Sequence, residues 1–225
     1  MPRPSRNLDR ALLAAGRALY PSTGCAGLTI RQVCDAAGVN TGMFNYHFGT
    51  RESFLRAVMQ QAYEEMFARL SLATARPDAA APDAMLRAAL RVLGRFVRDK
   101  RPFIARLLAD ALAGEAVARQ FVRDNLPRHV TVIAGLVAAG QARGTIRALA
   151  PAQALGTIAG ALVLPIFAGG AIADSGLMPG PAARALADSV LPDAAIDERI
   201  DLILQGLAVP AGPAAVPTRK RKVKP

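Results

Sequence analysis

The chain has 225 residues, of which 52% are hydrophobic and 20% charged, and a formal net charge of +11. That is enough apolar material to bury a sizeable core, as one helical domain or two small ones, and it excludes a chain disordered throughout. The surplus bases sit at the ends: residues 1–60 carry seven Arg against three acids, the last eight carry five bases and no acid, and 61–217 are close to neutral. A basic end joined to a neutral body suits polyanion binding, although surplus charge also serves solubility.

Abundant Ala and Leu, few aromatics and thinly spread β-branched residues predict an all-α fold. The opening MPRPSRNLDR has no apolar h-region and no cleavage site, so the expected location is cytoplasmic. Cys25 and Cys34 match no zinc spacing and are expected to be small core residues, with no metal and no cofactor.

In chain order, Leu8, Ala11, Leu12, Ala15 and Leu19 predict an amphipathic helix over 7–20, ending near Pro21 and Gly24. Thr29-x-x-Gln32 has the form of a capping box and predicts a second helix from Thr29. It must be short, because Gly38 suits a left-handed turn and Asn40 a new N-cap. A third helix is expected from Thr41 to about Phe48, and after Gly49-Thr50 a long fourth one bearing Phe54, Leu55, Val58, Met59, Ala62, Met66 and Leu70. Residues 74–83 read as a linker. Further helices are expected near 84–100, 103–112, 115–142 with a break at Pro127, 151–170, 181–190 and 193–208. Residues 209–218 read as a flexible tether to the basic end, which is either a solvated tail or a non-specific DNA contact.

Two short helices joined by Ala37-Gly38-Val39 describe a helix-turn-helix, whose second helix is the one to enter a major groove. Phe44 and Phe48 lie four apart and point inward. Thr41, Asn45, Tyr46 and His47 are left to face outward, and Gly42 bares the helix end.

The run from Thr29 to Glu52, TIRQVCDAAGVNTGMFNYHFGTRE, resembles the signature of the tetracycline-repressor (TetR) family over about the first quarter of the chain. In that family Tyr-His-Phe closes the recognition helix and a basic residue opens the fourth, corresponding here to Tyr46-His47-Phe48 and Arg51; Asn45 stands where an aromatic is usual. The resemblance implies a ligand-responsive regulator, a repressor that binds an inverted-repeat operator as a homodimer. It implies a helix-turn-helix domain over 1–52, a helical ligand-binding and dimerisation domain over 53–208 and a basic tail over 209–225. The DNA-facing residues expected are Thr29 and Arg31 on the first helix of the motif, then Asn40, Thr41, Gly42, Met43 and Asn45, with Tyr46, His47 and Arg51 on phosphate.

Beyond residue 60 only the architecture resembles the family. Phe96, Phe103, Leu107, Leu108, Phe121, His129 and Val130 are neighbours of a ligand pocket or plain core, and the effector-binding residues stay open. From Ala148 to Ala173 there is no charge, long enough for a membrane span, but Pro151, Pro165 and Gly169-Gly170 interrupt it. With Gly156-x-x-x-Gly160 it reads instead as a helix buried in a dimer interface, as the family architecture implies. An architectural DNA-binding protein without a ligand is the competing function. An enzyme is not expected, since phosphate loop, nucleophile elbow and His-Glu-x-x-His are all missing.

Overall fold

Capping signals set most of the helix ends in the computed structural model, which describes residues 6–75 and 82–210. The first helix, α1 (Arg6–Gly27), outlasts its predicted end at Pro21. The hydroxyls of Ser22 and Thr23 both donate to the Leu19 carbonyl, and the chain bends only at Gly24, whose φ of 64° suits a residue without Cβ. Helix α2 (Ile30–Ala37) starts on the predicted capping box, with Thr29 Oγ1 accepting from Gln32 N–H at 3.2 Å. Gly38 ends it in the left-handed conformation, and Asn40 caps α3 (Thr41–Phe48) by accepting from Met43 N–H at 2.9 Å. Thr50 caps α4 (Arg51–Thr74) in the same way.

The remaining helices are α5 (Pro82–Asp99), α6 (Arg101–Leu112), α7 (Ala116–Ala142), α8 (Pro151–Ile158), α9 (Leu164–Asp174), α10 (Gly180–Val190) and α11 (Asp193–Leu207). Two of them depart from expectation. The break predicted at Pro127 does not occur and α7 runs through it; Pro127 and Arg123 both lie on the exposed face, where a carbonyl deprived of its N–H partner stays within reach of water. The single helix predicted over 151–170 is divided by a π-helical turn, Ala159–Val163. Pro165 supplies no N–H and its ring crowds the carbonyl four residues back, and the wider turn relieves this, with Leu164 N–H reaching Ala159.

Helix α4 is the axis of the molecule. Its first turns pack on α1 and α3 and its later turns on α5 and α7. A Cβ at Gly16 of α1 would come within 2.6 Å of the Phe54 ring, so the approach of α1 to α4 requires glycine there. Leu12, Phe44 and Phe54 are fully buried in the N-terminal part, and Leu86, Leu90, Ile196 and Ile200 in the C-terminal part. The predicted division at residue 52 therefore falls at the head of a helix that both halves share. Arginines 87, 91 and 95 on α5 face aspartates 201, 197 and 193 on α11, four residues apart on each helix. Part of the predicted linker and nearly all of the basic tail lie outside the described residues.

Candidate nucleic-acid interface

Hydrophobic burial aims the recognition helix. Phe44 of α3 is fully buried against Phe48 and Phe54, with ring centroids 5.6 and 5.0 Å away. That anchoring leaves Thr41, Gly42 and Asn45 exposed and Tyr46 with 71% of its surface free, while Met43 is half-buried. Arg31 is also exposed, with Asp35 at 3.7 Å. Thr29 and Asn40 are exposed too, but their oxygens already serve as helix caps. His47 is half-buried, and its Nε2 is shut away from solvent without a partner, so a phosphate would have to meet Nδ1 or a turned ring. Arg51 points back into the protein, donating from Nη1 to the carbonyls of Cys25 and Leu28.

The end of α1 is also tied to α6. Asp110, 3% exposed, accepts from the Tyr20 hydroxyl at 2.8 Å and from Cys25 N–H at 2.7 Å, and pairs with Arg106 at 2.9 Å. Gly24 makes room for this, since a Cβ there would meet the Arg106 guanidinium at 2.1 Å. Burial alone would push the Asp110 carboxyl up, but the hydrogen bonds from Cys25, Tyr20 and Arg106 outweigh it and hold it below the usual carboxylate range. The Cys25 thiol beside it is pushed up to about 11, first by burial. It is therefore a protonated core residue, and neither cysteine is disulfide-bonded.

Within the C-terminal helices lies a cavity of about 230 Å³. Phe96, Phe103, Leu107, Leu108, Phe121 and His129, all flagged by the sequence, line it, while Val130 does not. Its polar corner is Tyr63, Asn125 and His129. The Tyr63 hydroxyl donates to the Asn125 carbonyl at 2.7 Å and lies 3.2 Å from His129 Nδ1. Having one proton to give, Tyr63 accepts from His129, whose Nδ1 therefore carries the hydrogen. Burial pulls the His129 pKa down and keeps the ring neutral. On the far wall, the Phe103 ring sits 4.8 Å from that of Tyr20, so the cavity abuts the α1–α6 tie.

Residues 12–58 match the family described as bacterial regulatory proteins, tetR family. The similarity to that family thus lies in α1 to α4, about the first quarter of the chain. The chain is 35% identical over 89 residues to the HTH-type transcriptional regulator BetI of Burkholderia thailandensis, a match spanning 39% of this chain and 43% of that relative's length. The fold is similar to that of a putative fatty acid metabolism regulator of Clostridium perfringens (TM-score 0.67, 16% identity, 89% of this chain and 100% of that one). It is similar also to the ketosteroid transcriptional regulator KstR2 of Mycobacterium tuberculosis (TM-score 0.63, 16% identity, 92% and 97%). The two helices of the helix-turn-helix, α2 and α3, both lie within the matched residues.

Sequence reasoning brought the recognition-helix residues together but missed Tyr63, Asn125 and Asp110. Their signal was faint, since each is a lone polar residue on an otherwise apolar helix face, and only its neighbours tell whether it is satisfied or solvated.

Proposed function

We propose that this protein is a ligand-responsive transcriptional regulator of the cytoplasm, a repressor that binds an inverted-repeat operator as a homodimer and releases it when a small molecule fills the C-terminal cavity. The observation that carries this reading is the continuity between cavity and recognition helix. Phe103 belongs to the cavity wall and leans on Tyr20, while Met59 and Ala62 of α4 line the same cavity one to two turns beyond Phe54, which supports α3. A ligand that prefers one arrangement of α4 and α6 would shift the recognition helices, whereas one with equal affinity for both arrangements would shift nothing.

Dimerisation is supported by the apolar outer face of the segment Pro151–Asp174. It is long and apolar enough to cross a membrane, yet only 28% of its most apolar window is buried within one chain. Leu164 is 62% exposed, and both Gly156 and Gly160 face open space. A second copy covers such a face by twofold symmetry, which also pairs the recognition helices for inverted half-sites. The π turn, with the packing of this segment on α5, α7, α10 and α11, favours that over a lipid-facing span.

The test is selection from a random DNA pool followed by titration of the recovered site with hits from a thermal-shift screen of apolar small molecules. The reading expects an inverted repeat bound by two chains and weakened by at least one hit. A single half-site bound by one chain would remove the dimer, and hits that stabilise the protein without changing operator affinity would remove the gating.

A further inference from the structure

A second hollow adjoins the cavity. A cleft of about 290 Å³ between α4 and α5 is lined in part by Met66 and Phe96, and these same two side chains line the apolar cavity. The charged lining of the cleft is Arg69, Arg91, Arg95 and Lys100 against Glu65 and Asp99. Both acids are already engaged by arginines that do not line it: Glu65 by Arg17 at 2.6 Å, and Asp99 by Arg98 at 2.9 Å. Arg91 and Arg95 are engaged by Asp197 and Asp193 of α11. Arg69 and Lys100 make no ion pair among the described residues. The cleft therefore holds uncompensated positive charge on one side of a wall whose other side is apolar.

We propose that the effector of this protein is an amphipathic anion, with an apolar chain seated in the cavity, a passage between Met66 and Phe96, and a carboxylate or phosphate head held by Arg69 and Lys100. The inference rests on the cavity being the effector site. The polar corner of the cavity, one turn of α4 from Met66, does not compete for the head. His129 is neutral there, the Tyr63 proton is already given to the Asn125 carbonyl, and Arg128, which donates to Asn125 Oδ1 behind it, is paired with Glu64, so that corner supplies hydrogen bonds and no uncompensated charge. The dividing wall suits passage, because a methionine with three rotatable bonds reshapes at little cost. Charge-assisted hydrogen bonds from a guanidinium and an ammonium are what a carboxylate or phosphate gains on leaving water at the cleft.

The chain has no tryptophan, and Leu108 lines the cavity while 43% exposed, so Leu108→Trp places one fluorophore at the rim. In that background, decanoate, decyl phosphate and decan-1-ol are titrated in about 0.1 M salt, where screening acts over ~10 Å, with emission and calorimetry as readouts. All three are expected to change the emission, and the anions to bind about tenfold or more tightly than the alcohol, a gap of about 1.4 kcal/mol. Adding Arg69→Gln and Lys100→Gln should erase that gap and leave the alcohol's affinity unchanged. Decanoate and decyl phosphate, compared with each other, tell which head the cleft prefers. An alcohol that binds as tightly as the anions, or a preference that survives the double substitution, overturns the anionic head and leaves the cavity as effector site. No emission change with any probe overturns the effector site itself, and this inference with it.

Discussion

Arg51 donates its guanidinium hydrogens to the carbonyl of Cys25, so the residue that opens α4 also holds the end of α1 and the turn into α2. It grips Leu28 in the same way. The family resemblance points Arg51 at phosphate, but its geometry makes it a brace of the helix-turn-helix. Arg51→Ala is therefore expected to lower stability by about 1–3 kcal/mol, the cost of stranding partly buried carbonyls. Urea unfolding with and without DNA checks this. Weakened DNA binding with unchanged stability would return Arg51 to phosphate alone.

Asp110 on α6 provides the second brace, and its contribution should follow pH. Its folded pKa is depressed while an unfolded Asp titrates near ~3.9. The stabilisation is then fully present above that value and is lost as pH falls through the folded pKa. Asp110→Asn should cost about 2 kcal/mol at neutral pH, the scale of hydrogen bonds to a charged group, and the deficit should shrink on acidification below about pH 4. Unfolding curves of both proteins across that range decide it. A deficit that is constant with pH would mean that the side chain matters for shape and not for charge.

Asn45 is exposed on α3, and its side chain makes no hydrogen bond among the described residues. An Asn amide pairs bidentately with adenine in a major groove, a contact worth about 1–3 kcal/mol of discrimination. Asn45→Ala should relax preference at one base pair per half-site and leave the salt dependence nearly unchanged. Selection from random DNA with both proteins tests it, and identical per-position preferences would show that Asn45 does not read a base.

A side chain added at Gly160 meets nothing within 4 Å among the described residues. Gly160→Phe should therefore leave helicity and the single-chain fold intact while weakening self-association and operator binding together. Sedimentation at several concentrations measures this. An unchanged dimer would place the interface elsewhere.

Hydrophobic spacing and caps are properties of short segments, and so they were legible in the sequence. Thr29-x-x-Gln32, Gly38, Asn40 and Thr50 place the ends of α2, α3 and α4 because each acts on backbone groups within a few residues. Phe44 and Phe48 orient the recognition helix for the same local reason, and Gly156 and Gly160 mark the face of the apolar segment that no described residue covers.

The sequence could not decide relations between residues far apart in the chain. Arg51 looks like a free surface base until the Cys25 carbonyl is brought to it from 26 residues away, and Asp110 looks solvated until Tyr20 arrives from 90. Pro127 breaks a helix by local rules, yet facing water it does not. Met66 reads as ordinary core and Phe96 as a pocket neighbour or core, and only their packing makes them the wall between an apolar cavity and a basic cleft. Local backbone chemistry fixes where helices begin and end, but whether a polar side chain is a brace, a reader of DNA or part of a ligand site depends on which distant groups exclude its water.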